Sequence, residues 1–142
     1  MKADWKTVPL GEVCEVLSGF AFKSSDYKNS GHFLIRISNV QDGYLSLSSP
    51  KYVQLDDVTA RFALNAGDIL VSLTGNVGRV AEVTHQALPA ALNQRVAKVN
   101  PNEKILSKLF LLHFLRLNDF RTMLESQAHG AAQANVSPNV LK

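Results

Sequence analysis

The stretch from Leu64 to Asn100, LNAGDILVSLTGNVGRVAEVTHQALPAALNQRVAKVN, constrains the fold more than any other part of the chain. It opens on a turn signal, Asn65-Ala66-Gly67-Asp68, and then alternates. Ile69, Val71 and Leu73 fall on one side of a strand, with Leu70, Ser72 and Thr74 on the other. Gly75-Asn76-Val77-Gly78 supplies residues that tolerate positive φ, so the chain can reverse there. Arg79 to Val83 reads as a return strand rich in β-branched residues. After a loop closed by Pro89, Asn93-Gln94-Arg95 leads into Val96, Ala97, Lys98 and Val99. Val96 alternates with Arg95 and Ala97, which leaves one side of this third strand free to be polar. The hairpin and the strand after it are the expected sheet core.

Ahead of this stretch, Trp5 to Val16 is a mixed segment in which Val8, Leu10, Val13 and Val16 can line one face. Leu10 to Val13 is open to two readings, a helical turn or the start of a strand. Cys14, set among valines, reads as a small buried hydrophobe and not a nucleophile, since no base adjoins it in sequence. Ser18 to Gly31 is a long polar loop carrying aromatic residues, with Phe20 and Phe22 suited to pin it to the core. Phe33 to Val40 reads as a strand with Leu34, Ile37 and Val40 inward. Asp42-Gly43 is a turn signal, and Tyr44, Leu45 and Leu47 suggest a partner strand beyond it. Tyr52-Val53 is a short strand, and Asp56 is placed to cap a brief helical turn.

Beyond Pro101 a helix is expected, capped by Ser107, running from Lys108 to Ala128 and terminated by Gly130. Its apolar residues leave only a polar stripe, so it must be buried on most sides, against the sheet and with room for a partner besides. His113, mid-helix among apolar residues, reads as a structural histidine, not a ligand.

Bulk properties admit one folded domain. The 142 residues suffice to bury a core, and 46% hydrophobic against 19% charged residues does not describe a disordered chain. The longest apolar run falls far short of the roughly 20 residues that span a bilayer. The N-terminus lacks an apolar signal core, and one cysteine suits a reducing cytoplasm. Net charge is +3, compatible with an anionic partner without requiring one.

Catalytic signatures are missing. The four histidines show no metal-ligand spacing. There is neither a G-x-S-x-G elbow nor a Walker loop, and the glycines at 75 and 78 lie between strands, not ahead of a helix. No "NPPY" or "DPPY" box occurs to hold a flipped adenine.

Four short motifs in order carry a resemblance: Gly67-Asp68-Ile69-Leu70, Gly75-Asn76-Val77-Gly78, Asn93-Gln94-Arg95, and Gly130-Ala131-Ala132-Gln133-Ala134-Asn135-Val136-Ser137. Ile35-Arg36 and Ser38-Asn39 add a fifth. Together they resemble the target-recognition domain of type I restriction–modification specificity subunits, and the likeness covers nearly the whole chain from Trp5 onward. The resemblance implies an α+β fold: an irregular, barrel-like β region over about residues 1–100, a helical segment over 101–130, and a polar tail, 131–142, leading to an absent spacer helix. On this reading the chain is an isolated domain or a naturally truncated subunit.

The function implied is sequence-specific binding of double-stranded DNA, reading one half of a split target without catalysis or a cofactor of its own. Loops and strand ends would enter the major groove, where each base pair shows a distinct donor–acceptor pattern, and cations would hold phosphates. The candidates are Lys23, Ser24, Ser25, Tyr27 and Lys28 in the first loop, then Arg36, Asn39, Asn76, Arg79, Gln94 and Arg95. Arg36 is open to two roles, a phosphate contact or an anchor for the loop at 39–43, and Gln94 is open to bracing the hairpin. The implied partners are methyltransferase subunits, which bring S-adenosylmethionine, and a restriction subunit using ATP. Two other readings stand: a protein–protein interaction module of such a complex, and the recognition fragment of a fused restriction–methyltransferase enzyme.

Overall fold

The alternation around Ile69 sets the frame of the molecule, seen here in a computed structural model that describes residues 10–127. The expected features at Trp5, Ala128 and Gly130 and in the tail 131–142 lie outside the described residues. A single helical turn, α1 (Leu10–Val13), feeds strand β1 (Cys14–Ser18), which resolves the two readings of that segment. There follow β2 (Tyr27–Lys28), β3 (His32–Ile35), β4 (Tyr52–Val53), β5 (Ala63–Leu64), β6 (Ile69–Ser72), β7 (Val80–Glu82), β8 (Ala90–Leu92) and β9 (Val96–Pro101). Two helices, α2 (Lys108–Leu115) and α3 (Asn118–Gln127), complete the described chain.

The strands form two sheets and no closed barrel among the described residues: β1-β9-β6-β7, and β2-β4-β3-β8-β5. The class is therefore α+β as expected, but the barrel-like description gives way to layers. The first sheet is wholly antiparallel, with β6 between its hairpin partner β7 and β9. Its two faces support different cores. Ile69, Val71, Leu73, Val80, Ala97 and Val99 pack with Leu111, Leu115, Phe120 and Leu124 of the helices. Leu70, Ala81, Val83 and Val96 turn the other way, onto Phe33, Ile35, Leu64, Ala90 and Leu92 of the second sheet. The period-two alternation of β6 is thus real, but both sides are covered. The same holds for β9, where Val96, Ala97 and Val99 are all buried; the polar side expected for that strand is absent because helices occupy it. On the outer face of the second sheet, Leu34, Val53 and Ala91 are covered by Phe22.

Three expectations fail for local reasons. The strand beginning at Phe33 stops at Ile35, because the Arg36 N–H goes to Asn39 Oδ1 (2.9 Å) and the chain coils into a short 3-10 turn over Ile37–Asn39. Tyr44 to Leu47 forms no strand. Only an isolated bridge joins Val40 to Leu45, while Ser46 N–H donates to the Asn39 carbonyl (2.7 Å) and Asn39 Nδ2 to the Ser46 carbonyl (2.9 Å), closing a loop and not a ladder. The single long helix is two. Arg116 and Leu117 bond three residues back, to the His113 and Phe114 carbonyls, and Asn118 then opens a new helix, as a residue that favours helix ends does.

Ser107 caps α2 as expected, its Oγ accepting from Phe110 N–H at 3.1 Å. Asp56 caps its turn, Oδ1 accepting from Val58 and Thr59 N–H at 2.9 Å each. Burial of the helices is one-sided. Leu111, Leu115 and Leu124 are fully enclosed, whereas Leu109 is 66% and Phe110 56% exposed. His113, read as a structural histidine among apolar residues, is exposed as well. Cys14 is buried and free, and burial raises its thiol pKa.

Candidate nucleic-acid interface

The registers of the first sheet bring four chain segments to one end. Ser18 pairs with Ala97, Ser72 with Val96 and Val71 with Val80, so the residues after β1, after β6, before β7 and before β9 all emerge together. Backbone bonds knit them. Leu73 N–H donates to the Arg95 carbonyl (2.9 Å), Gln94 N–H to the Phe20 carbonyl (2.8 Å) and Gly43 N–H to the Val80 carbonyl (2.9 Å). Asn76, Arg79, Gln94 and Arg95, scattered in sequence, are in this way gathered at one rim.

The hairpin tip within that rim is braced from below. Ser72, buried, donates from Oγ to the Asn76 carbonyl (2.6 Å) and accepts there from Arg79 N–H (3.0 Å). Gly75 has φ +72° with open space around it, and Asn76 is exposed beside it. Arg95 takes φ +71°, an uncommon backbone for a residue with a Cβ. That strain sits on an exposed cation at the rim. Gln94 is exposed; its backbone, not its side chain, ties the turn to Phe20.

Beside the tip stands a cluster that the sequence did not reveal. Arg121 of α3 donates from Nη2 to Asp42 Oδ1 (2.7 Å), from Nη1 to Asp42 Oδ2 (3.3 Å) and from Nη2 to the Gly78 carbonyl (3.3 Å). Arg79 Nη1 donates to Gln41 Oε1 (3.1 Å). The Arg116 guanidinium lies over Gly43, where an added Cβ would come within 3.1 Å of its Nη2. The Arg121 hydrogen bond, with smaller help from the charges of Arg121, Arg116 and Arg79, holds the Asp42 carboxyl below its ordinary pKa. Nothing local signals this grouping, because 79 residues separate Arg121 from Asp42.

The first-loop candidates form a separate group. Lys23, Ser24, Ser25 and Lys28 are exposed, whereas Tyr27 is half-buried and packs on the outer core of the second sheet. Asp26 turns back to accept from Lys23 N–H at 2.8 Å. Between this loop and residues 54–59 lies a cleft of about 460 Å³, walled by Phe20, Phe22, Lys23, Lys28, Gln54 and Val58. Gln54 and Val58 escaped notice in the sequence because nothing there ties them to the loop. Phe20 and Phe22 do pin it, in edge contact at 4.9 Å between ring centroids.

Two candidates are parts of the scaffold. Asn39 is buried, with its carboxamide committed to Arg36 N–H and the Ser46 carbonyl, so it has nothing to offer a duplex. Arg36 anchors a loop, but at Ser49, whose carbonyl accepts from Nη2 at 2.6 Å, and not at residues 39–43 through its guanidinium.

The motif residues are also structural. Asp68 is buried and accepts from Asn65 N–H (2.8 Å) and Asn100 Nδ2 (2.9 Å), which fixes the turn ahead of β6 to the end of β9.

Residues 2–142 match the family described as the type I restriction modification DNA specificity domain. The chain belongs to that family. Its similarity to other members of the specificity-domain family extends along most of its length. It is 27% identical over 144 aligned positions to the type I restriction enzyme MjaVIII specificity subunit of Methanocaldococcus jannaschii, covering 97% of this chain and 34% of that protein. To the EcoAI specificity subunit of Escherichia coli it is 30% identical over 118, covering 79% of this chain and 20% of the relative. The chain thus spans about a third or less of these relatives' own length. The specificity-domain fold recurs in a chain of a solved type I restriction–modification system, with a TM-score of 0.71 at 20% identity, over 99% of this chain and 33% of that one. It recurs again in the HsdS subunit from Thermoanaerobacter tengcongensis, with a TM-score of 0.66 at 22% identity, over 87% and 29%. Among the described residues no helix is long and apolar enough to cross a membrane.

Proposed function

We propose that the chain is a non-catalytic, sequence-specific binder of double-stranded DNA that reads one half of a bipartite target for a type I restriction–modification complex. The observation that supports the reading is the single rim where the residue 75–79 and 93–95 turns meet at one end of the first sheet, with Asn76, Gln94 and Arg95 exposed and Arg79 half-buried. Amides and guanidinium groups held together on a scaffold suit base edges and phosphates. Lys23, Ser24, Ser25 and Lys28 add a second contact region on the first loop, with Tyr27 partly committed to packing. By family, the partners are methyltransferase subunits and a restriction subunit in the cytoplasm, and the chain itself takes no cofactor.

The test is selection from a randomised duplex pool by the full chain, at low and then moderate salt. A short enriched motif that survives added salt would identify the half-target. Indiscriminate binding that vanishes with salt would reduce the rim to a weak electrostatic surface.

One observation favours a second reading. The outward Leu109, Phe110 and Leu117 of the helical segment are exposed, which suits an interaction module in which DNA contact is incidental. Association with restriction–modification subunits without any affinity for duplex would support it.

A further inference from the structure

The junction between α2 and α3 places positive charge where a base-reading hairpin needs a phosphate anchor. Three guanidinium groups, of Arg79, Arg116 and Arg121, surround the single carboxylate of Asp42, with Glu125 acting on Arg121 from further along α3. The excess of cations sits against the hairpin tip, since Arg121 also donates to the Gly78 carbonyl and its stem packs where a Gly78 Cβ would lie (3.1 Å to Cγ). The three are not equivalent. Arg121 spends both terminal nitrogens on Asp42, and Arg79 spends one on Gln41. Arg116 is exposed, and its guanidinium rests on Gly43, the residue after Asp42, whose carboxylate feels its charge. An arginine fork presented in this way matches two oxygens of a phosphodiester.

We infer that Arg116, with Arg79 beside it, holds a backbone phosphate of the duplex, and that the Asp42–Arg121 pair positions the loop on which Arg116 rests. This deepens the DNA-binding reading and depends on it. The helical segment then contributes to register on the duplex, and the sheet rim contributes sequence. Asp42 is a positioning residue: it touches no DNA, but it holds Gly43 and the hairpin against α3.

The experiment titrates duplexes of selected and scrambled sequence with the full chain, between about 50 and 200 mM salt. Arg116→Ala should weaken selected and scrambled duplexes alike, by roughly fivefold near physiological salt, and lower the salt slope by about 1, with the enriched motif and the melting temperature unchanged. Asp42→Asn adds one positive charge to the surface. If the pair positions the clamp, affinity falls despite that charge; if the arginines are only a diffuse basic patch, affinity rises and the positioning role is overturned. Unchanged affinity and slope for Arg116→Ala, or a loss confined to one base pair, would overturn the phosphate contact while leaving the DNA-binding reading intact. Failure of the unaltered chain to bind any duplex would overturn both.

Discussion

Asn100 Nδ2 donates to Asp68 Oδ1 at 2.9 Å, while Asn100 Oδ1 accepts from Ile69 N–H at 3.3 Å, so one side chain at the end of β9 fastens both the turn and the first residue of β6. Asp68→Ala removes an acceptor from this buried set and from Asn65 N–H. A loss of about 1.5–3 kcal/mol is expected, read as a melting temperature lower by several degrees. No change in melting temperature would show that Asp68 does not hold the turn.

Gly19 lies where the first loop crosses the turn before β9. A Cβ there would stand 1.8 Å from the Asn93 carbonyl oxygen, a backbone atom that cannot step aside. Gly19→Ala should cost more than about 2 kcal/mol in denaturant unfolding. A fully stable Gly19→Ala protein would mean that the two segments do not pass so closely.

Neighbouring leucines of α2 should behave in opposite ways. Leu111→Ala empties a fully buried site and is expected to cost about 2–5 kcal/mol. Leu109→Ala, at a position 66% exposed, should change stability by no more than about 0.5 kcal/mol. Equal losses in paired denaturation curves would indicate that the outer face of α2 is covered in solution.

For Asp42 the pH dependence has a definite sign. Its folded-state pKa is lowered, chiefly by the Arg121 hydrogen bond, so its contribution is present above the ordinary value of 3.8 and is lost as pH falls through the lower folded value. The carboxylate is exposed, so the effect is small. Nuclear magnetic resonance titration should place the Asp42 midpoint below 3.8, and Arg121→Gln should move it upward. A midpoint that ignores Arg121→Gln would break the assignment.

Arg95 separates folding from recognition. Its left-handed backbone costs about 1 kcal/mol that glycine would not incur. Arg95→Gly relieves that strain, and on the folded variant, with cooperative unfolding retained, affinity for duplex DNA should fall. A protein that binds as before would remove Arg95 from the interface.

What could be read from the sequence was whatever short-range pattern controls. The β6–β7 hairpin follows from alternation interrupted by Gly75 and Gly78, and the Ser107 and Asp56 caps follow from residue type. Layering was not legible. The three-residue β8 pairs parallel with β3 across a long intervening chain, and its sequence, Ala90-Ala91-Leu92, has no strand character of its own. Asn39 looked like a base reader because amides serve equally as ligands and as internal braces, and only burial tells which. Asp42, Arg116 and Arg121 meet through tertiary packing, so no spacing rule could have joined them.

The central strand has one more consequence. Ile69 and Val71 belong to the core beneath the helices, and Leu70, between them, belongs to the core between the sheets. A strand shared residue by residue between two interiors cannot leave one without disordering the other. Helices and sheets therefore form one melting unit, and a lesion beneath α3 is felt at the far rim of the sheet as lost global stability, not as a local defect.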